Sequence, residues 1–187
     1  MILAHFRLNP IEVNCFVMAC PQRREAMLVD CGEFDMRIVD FVETHNLDLN
    51  TIFVTHNHYD HTDGVAQAAD HFGARIISGN DRVGDKTAYQ VVAHGDSIRV
   101  GALQAKVVDT SGHTPIGLSL IFEGTVFSGD ALFAGSVGGT SNEDDYNRQI
   151  GNIRKNLFSL PEDYVVHTGH GPSTTIGIEK HHNPFFV

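Results

Sequence analysis

The chain has 187 residues, a hydrophobic fraction of 42% and a formal net charge of -10 at pH 7. The length suits one sizeable core, and the acidic balance disfavours nucleic acid or an anionic membrane as the main partner, since both need a basic face. No stretch approaches the roughly 18 apolar residues of a membrane span, and the first ten residues lack the apolar centre of a signal peptide. The three cysteines lack a metal-type spacing, which favours reduced thiols in a cytoplasmic protein: Cys15, Cys20 and Cys31.

Strands and helices are predicted to alternate along much of the chain. Strands are expected where apolar residues alternate or run together before a turn: 1–8, 11–20, 26–32, 51–55, 74–78, 96–109, 118–128 and 163–168. Helices are expected over 34–42, 65–72, 146–157 and 175–181. Thr62 or Asp63 should cap the second helix, and Gly73 should end it. This order predicts an α/β protein with sheets packed on each other and helices outside.

Four side chains that commonly bind metals fall within six positions directly after the predicted strand at 51–55: His56, His58, Asp60 and His61. Imidazole nitrogens and carboxylate oxygens are ligands for zinc and other divalent transition metals. His56 and His58 lie two positions apart, so at an extended strand end they would point the same way and grip one ion. Asp60 and His61 enter the next helix from another direction, which suits a second ion.

Three more candidate ligands follow predicted strands, each beside a glycine that lets the backbone turn sharply: His113, Asp130 and His170. Two ions about 3.5–4 Å apart need a bridging carboxylate or hydroxide, and these residues are candidates to complete such a site.

The other histidines are expected to be surface or hydrogen-bonded residues: His5, His45, His71, His94, His181 and His182. His167 should lie on the opposite face of its strand from His170. Asp30, at a strand end, either orients a ligand histidine from behind or serves as a turn aspartate.

The segments that carry these residues resemble the metallo-β-lactamase superfamily, and the last two resemble its glyoxalase II-like (hydroxyacylglutathione hydrolase-like) branch: THNHYDH, GHTP, SGDALF and GHGPSTTIGIEKHHNPF. The resemblance implies one αββα sandwich over residues 1–187, a short form without the C-terminal helical domain of the branch. It implies His56, His58 and His113 on one ion, Asp60, His61 and His170 on the other, and Asp130 bridging both. The expected cofactor is two divalent ions, with zinc first and iron or manganese as alternatives.

The chain departs from glutathione-binding members at three positions where these often carry a cation or an aromatic residue: Gly139, Ser141 and Pro172. Glutathione is net anionic, and the acidic residues at 143–145 have the wrong charge to attract it. Arg148 and Lys180 are the cations that could compensate.

The predicted function is a dinuclear metal-dependent thioesterase of the hydroxyacylglutathione hydrolase type, acting on a small-molecule thioester, glutathione-derived ones included. Asp60 and Asp130 are its candidate catalytic residues. A bridging hydroxide would attack the carbonyl, and a thiol with a pKa of about 8.5 can leave as thiolate without a strong acid. Three alternatives stay open: an iron-dependent persulfide dioxygenase using His56, His113 and Asp130, a lactonase or other ester hydrolase, and a metal-binding protein without turnover.

Overall fold

Two six-stranded sheets stack face to face between outer helices in the computed structural model, which describes residues 1–9 and 11–187. The strands are β1 (Ile2–Leu8), β2 (Val13–Ala19), β3 (Glu25–Val29), β4 (Asp48–Val54), β5 (Arg75–Ser78), β6 (Arg82–Val83), β7 (Lys86–Thr87), β8 (Gln90–Val91), β9 (Ser97–Val100), β10 (Leu103–Asp109), β11 (Leu118–Phe122), β12 (Thr125–Gly129), β13 (Leu132–Phe133), β14 (Ser136–Val137), β15 (Val165–Thr168) and β16 (Thr174–Thr175). The helices are α1 (Met36–Thr44), α2 (Tyr59–Thr62), α3 (Val65–Phe72), α4 (Glu143–Asn156) and α5 (Ile176–His182).

The strand directions bring several loops to one edge of the molecule. The first sheet has the order β1-β2-β3-β4-β5-β8, with parallel pairing from β3 onwards. The second has the order β16-β15-β12-β11-β10-β9, in which β12 and β15 pair in parallel while β11 runs against both β10 and β12. Strands β10, β12 and β15 therefore end at the same edge of the second sheet. That edge meets the end of β4, because Leu118 N donates to Thr55 O at 2.9 Å.

Three apolar layers hold the four structural layers together. Phe53, Phe127 and their neighbours fill the space between the sheets. Side chains of α1 and α3, such as Ile38 and Val65, pack on the outer face of the first sheet. Ile153 of α4 and Ile176 of α5 pack on the outer face of the second. The αββα sandwich expected from the sequence is thereby confirmed, and each sheet buries both of its faces.

Several local predictions differ from the structure. The cap predicted at Thr62 or Asp63 is wrong, because residues 59–62 form the separate short helix α2 and α3 starts after Gly64. The first helix starts at Met36 rather than Phe34, because the side chain of Asp35 accepts a hydrogen bond from Arg37 N and caps it. Gly73 does end α3, in a left-handed conformation with φ of 65°.

The two-residue strands were not predicted, since they are too short to show any periodicity. Among residues 1–9 and 11–187, no helix is both long and apolar enough to cross a membrane.

Candidate metal centre

The segment after β4 carries four of the predicted ligands on a loop and a single helical turn. The strand ends at Val54, so His56 and His58 lie beyond it, and the prediction that they sit on a strand end is wrong. The loop nevertheless brings His56 Nε2 to 3.1 Å from His58 Nδ1. Asp60 and His61 belong to α2 and are buried. The irregular loop beyond Val54, rather than the two-residue repeat of a strand, brings the first two rings together.

The second sheet contributes the other three candidates from loops that leave its shared edge. His113 follows β10, Asp130 directly follows β12, and His170 follows β15. The backbone turns sharply at Gly129, whose φ of 51° favours glycine. The turn places the Asp130 carboxylate at the centre of the other predicted ligands.

The seven predicted ligands form two groups with a carboxylate between them. In the first group, His113 Nε2 and His56 Nε2 lie 3.0 Å and 3.1 Å from His58 Nδ1. In the second, Asp60 Oδ2 lies 3.0 Å from His170 Nε2 and 3.6 Å from His61 Nε2.

The Asp130 carboxylate faces both groups. Its Oδ2 is 3.9 Å from His56 Nε2 and 3.6 Å from His113 Nε2, and its Oδ1 is 3.2 Å from His61 Nε2. Every predicted ligand atom therefore faces one small volume.

Hydrogen bonds behind the rings decide which nitrogens face that volume with a lone pair. His61 Nδ1 donates to Asp30 Oδ2 at 2.8 Å, and His113 Nδ1 donates to Gly139 O at 2.6 Å. The Thr55 hydroxyl donates to Asp30 Oδ2 at 2.8 Å, so it accepts from His56 Nδ1 at 3.1 Å.

Because each of these three rings donates its Nδ1 proton to an acceptor oxygen, the proton of the neutral ring stays on Nδ1 and Nε2 keeps a free lone pair. Asp30 is thus the orienting residue rather than a turn aspartate, one of the two roles left open from the sequence.

Burial and nearby charge act in opposite directions on the acids and bases of the centre. Burial acts to lower the pKa of His61, but the carboxylates of Asp30 and Asp130 outweigh it and raise the pKa to about 10. Burial acts to raise the pKa of Asp130, but the positive charge of the neighbouring His61 outweighs it and lowers the pKa to about 2. Burial holds the pKa of His56 well below its usual range. The centre thus combines a charged carboxylate with an imidazole that only strong negative charge keeps protonated.

The donor set fits divalent ions. His61 Nε2 and Asp130 Oδ1 are buried, lie 3.2 Å apart and have no hydrogen-bond partner within the described residues. Two such atoms facing each other without a bond are stabilised by a shared cation. Bonds of about 2.0–2.2 Å in tetrahedral geometry place ligand atoms about 3.3–3.6 Å apart, which is close to the separations found here. Binding of an ion at Nε2 would release the His61 proton.

Glycine lets the loops approach the Asp130 carboxylate. A Cβ atom at Gly169 would lie 2.0 Å from Asp130 Oδ1, and one at Gly138 would lie 2.0 Å from Asp130 O. No larger residue fits at either position without moving the carboxylate or its backbone.

The remaining histidines lie outside the two groups. The six expected at the surface are all exposed. His167 packs between Phe16 and Phe127, with ring centroids 5.1 Å and 5.2 Å away, and its Nδ1 is 2.9 Å from Ser173 Oγ. It takes no part in the metal-type clusters.

Sequence reasoning missed Asn14, a buried side chain of β2 that bonds the loop carrying His170. A polar residue within the otherwise apolar run VNCFVMA was the available signal. It is weak, because a strand often alternates in this way.

An open cleft of about 400 Å³ lies over the candidate metal centre. Beyond the predicted ligands, its walls are formed by Ile11, Phe133, Gly138 and Gly139, and no lysine or arginine is among the described residues that line it. The two cations that could have compensated are in ion pairs instead. Arg148 Nη2 lies 2.5 Å from Asp145 Oδ1, and Lys180 Nζ lies 3.4 Å from Glu162 Oε1.

Comparison with known proteins agrees with this architecture. A family model described as the metallo-beta-lactamase superfamily matches residues 8–170. The chain is 29% identical over 204 residues to hydroxyacylglutathione hydrolase GloC of Haemophilus influenzae, covering 94% of this chain and 95% of that protein. Its fold matches BLEG-1 B3 metallo-beta-lactamase with a TM-score of 0.88 and 29% identity, covering 99% of both chains. It matches ETHE1 from Myxococcus xanthus with a TM-score of 0.88 and 29% identity, covering 98% of this chain and 84% of the other. The resemblance read from the motifs is therefore confirmed, and the chain belongs to the metallo-beta-lactamase superfamily.

Proposed function

We propose that this chain is a dinuclear metal-dependent thioesterase of the hydroxyacylglutathione hydrolase type, in which residues 1–187 act as one catalytic domain. The observation that carries the proposal is the placement of Asp130, whose carboxylate lies within 3.9 Å of histidine nitrogens of both ligand groups. A bridging carboxylate offsets the repulsion between two neighbouring ions, which a protein that merely stores single ions does not need.

Each group would hold one ion. His56, His58 and His113 are the ligands of the first, and Asp60, His61 and His170 those of the second. The nitrogen and oxygen donors suit zinc first, with iron or manganese as alternatives. When bound, such ions would lower the pKa of a bound water to about 7 and would polarise the carbonyl of a substrate.

The chain's own residues hold the ligand side chains in the orientation and protonation state that metal binding requires. Thr55, Gly139 and Asp30 hold three ring protons on Nδ1, so the opposite nitrogens stay free for the ions. Asp60 and Asp130 supply the negative charge that balances the centre. A thiol leaving group has a pKa of about 8.5 and departs as thiolate, so the reaction needs no further acid in the cleft.

The residues that line the cleft influence which thiol part of a substrate can bind. Ile11 and Phe133 offer apolar contacts, whereas the described lining offers no cation for the carboxylates of glutathione. A glutathione thioester remains a candidate substrate, in line with the similarity to a hydroxyacylglutathione hydrolase. Hydrolysis of S-lactoylglutathione should be compared with that of neutral thioesters carrying the same acyl group.

Replacing the bridging residue tests the main proposal. Asp130→Ala should lose at least one ion per chain, measured by elemental analysis after dialysis, and should lose thioester hydrolysis. Asp163→Ala, at an exposed position away from the centre, is the matched control. Full thioesterase activity in Asp130→Ala would contradict the proposal.

A second candidate uses part of the same centre. His56, His113 and Asp130 form a two-histidine, one-carboxylate set that suits a single iron in a persulfide dioxygenase, with Asp130 Oδ2 at 3.9 Å and 3.6 Å from the two rings. This candidate gives no role to the close contact between Asp60 and His170. Oxygen uptake with a persulfide and one iron per chain would favour it. Lactone and β-lactam substrates complete the panel, since other hydrolases of the superfamily would use the same pair of ions.

A further inference from the structure

Asn14 connects the first sheet to the loop that carries His170. The residue lies in β2, where its side chain is 2% exposed. Its Nδ2 donates to Thr168 O at 2.9 Å and to Gly171 O at 2.8 Å, the carbonyls on either side of residues 169–170. Its Oδ1 lies 2.7 Å from His5 Nε2.

These partners leave one orientation for the amide. A backbone carbonyl can only accept, so Nδ2 must face both carbonyls and Oδ1 must face His5. His5 Nε2 therefore donates to Asn14. Both amide hydrogens and the carbonyl oxygen of the side chain are hydrogen-bonded. Few other residues of this size could donate two hydrogen bonds and accept one in this arrangement.

The backbone reinforces the same contact. Asn14 N donates to Gly169 O at 2.7 Å, and Val13 forms an isolated antiparallel bridge with His170. Residues 168–171 are thus held from one side by two successive residues of β2.

The loop held in this way positions the second ligand group. His170 Nε2 lies 3.0 Å from Asp60 Oδ2, and Gly169 packs directly against Asp130 Oδ1. The Asn14 side chain makes no hydrogen bond to the rings of His56, His58 or His113, nor to their backbone, among the bonds of the described residues. Its effect should therefore be confined to one of the two groups.

We propose that Asn14 is a positioning residue that fixes His170 for the second ion, and that His5 orients Asn14 in turn. The proposal rests on the proposed dinuclear centre and adds a residue outside it that controls the relative occupancy of its two halves. Partners that orient a ligand from outside the coordination shell are worth about 10–100-fold in metal affinity.

Asn14→Asp tests this with almost no change in shape, because a carboxylate cannot donate to the two carbonyls. In titrations of the metal-free protein with Zn²⁺, one of the two equivalents should bind about 10–100-fold more weakly while the other binds as in the wild type. Asn156→Asp is the matched control, since Asn156 Nδ2 also donates to a carbonyl, Asp109 O at 2.7 Å, but away from the second group. Urea unfolding of each metal-free variant checks that it is folded.

A second pair of variants keeps the test decisive should Asn14→Asp fold poorly. His5 is exposed, so His5→Ala should still fold and should weaken the same equivalent several-fold, whereas His5→Gln retains an N–H donor and should restore it.

Equal weakening of both equivalents, or unchanged binding of both, would overturn the proposal. The readout is metal binding, so failure of this proposal can be told apart from failure of the proposed function. Absence of thioester hydrolysis by the two-ion wild-type protein would show the latter.

Discussion

Replacing Asp30 with asparagine removes a negative charge beside the metal centre while keeping the backbone conformation at this position. Asp30 is 2% exposed and has a positive φ of 55°, a conformation that asparagine tolerates about as well as aspartate. Its Oδ1 accepts from Thr55 N at 2.8 Å, and its Oδ2 accepts from both the Thr55 hydroxyl and His61 Nδ1 at 2.8 Å. The carboxylate therefore accepts three hydrogen bonds and donates none.

Neither orientation of an asparagine amide can reproduce this pattern. If the NH2 group replaces Oδ2, it faces the donors of Thr55 and His61, and the His61 ring must move its proton to Nε2, the atom that faces Asp130. If the NH2 group replaces Oδ1, it faces the Thr55 backbone N–H. We expect the ion bound by His61 to lose about 10–100-fold in affinity, or about 1.4–2.8 kcal/mol.

Competition with a calibrated zinc chelator measures this loss. Asp35→Asn is the matched control, because asparagine caps α1 about as well as aspartate does. Loss of the negative charge should also lower the pKa of His61 from about 10, which NMR titration of the metal-free protein can follow. Zinc affinity within twofold of the wild type in a folded Asp30→Asn protein would refute the role of Asp30.

Two further predictions concern pH and specificity. Burial lowers the pKa of His167 to about 4, so protonation favours the unfolded chain and stability should fall as pH drops from about 6.5 to about 4. His167→Phe keeps a ring between Phe16 and Phe127 and should show a shallower fall in urea unfolding with chelator present; an unchanged slope would contradict this. A Cβ at Gly139 meets no atom within 4 Å, so Gly139→Lys should fold and should raise kcat/KM for S-lactoylglutathione relative to neutral thioesters. Gly139→Gln supplies the length without the charge, and equal gains in both variants would contradict an electrostatic cause.

The candidate ligands that lie close together in sequence were the easiest to predict. His56, His58, Asp60 and His61 fall within six positions, so their chemistry could be predicted without knowing the fold. Their geometry could not, because the loop beyond Val54 turns where an extended strand was expected. His113, Asp130 and His170 were found by a weaker rule, a polar residue beside a glycine after an apolar run. These three residues lie near one another because β10, β12 and β15 end at one edge.

Long-range contacts account for what the sequence could not reveal. Asn14 and Thr168 are 154 positions apart, and no local pattern links them. The ion pair of Lys180 with Glu162, 18 positions apart, is similarly invisible, whereas Arg148 pairs with Asp145 three positions before it in the same helix. The cap at Gly64 was missed because Thr62 is the last residue of the separate helix α2 and Asp63 is its C-cap, so neither polar residue starts α3.

The span of the ligand set has a consequence for how the protein matures. Asp60 and His170 are separated by 110 positions, so a ribosome exposes the cluster at 56–61 long before the last ligand emerges. During that interval the nascent chain displays an incomplete imidazole cluster that can hold an ion only loosely. Contacts between distant segments form late because the intervening chain must first be closed into a loop. We therefore expect loading of a complete pair of ions to follow translation, so that the supply of metal at that later moment contributes to which ion is bound.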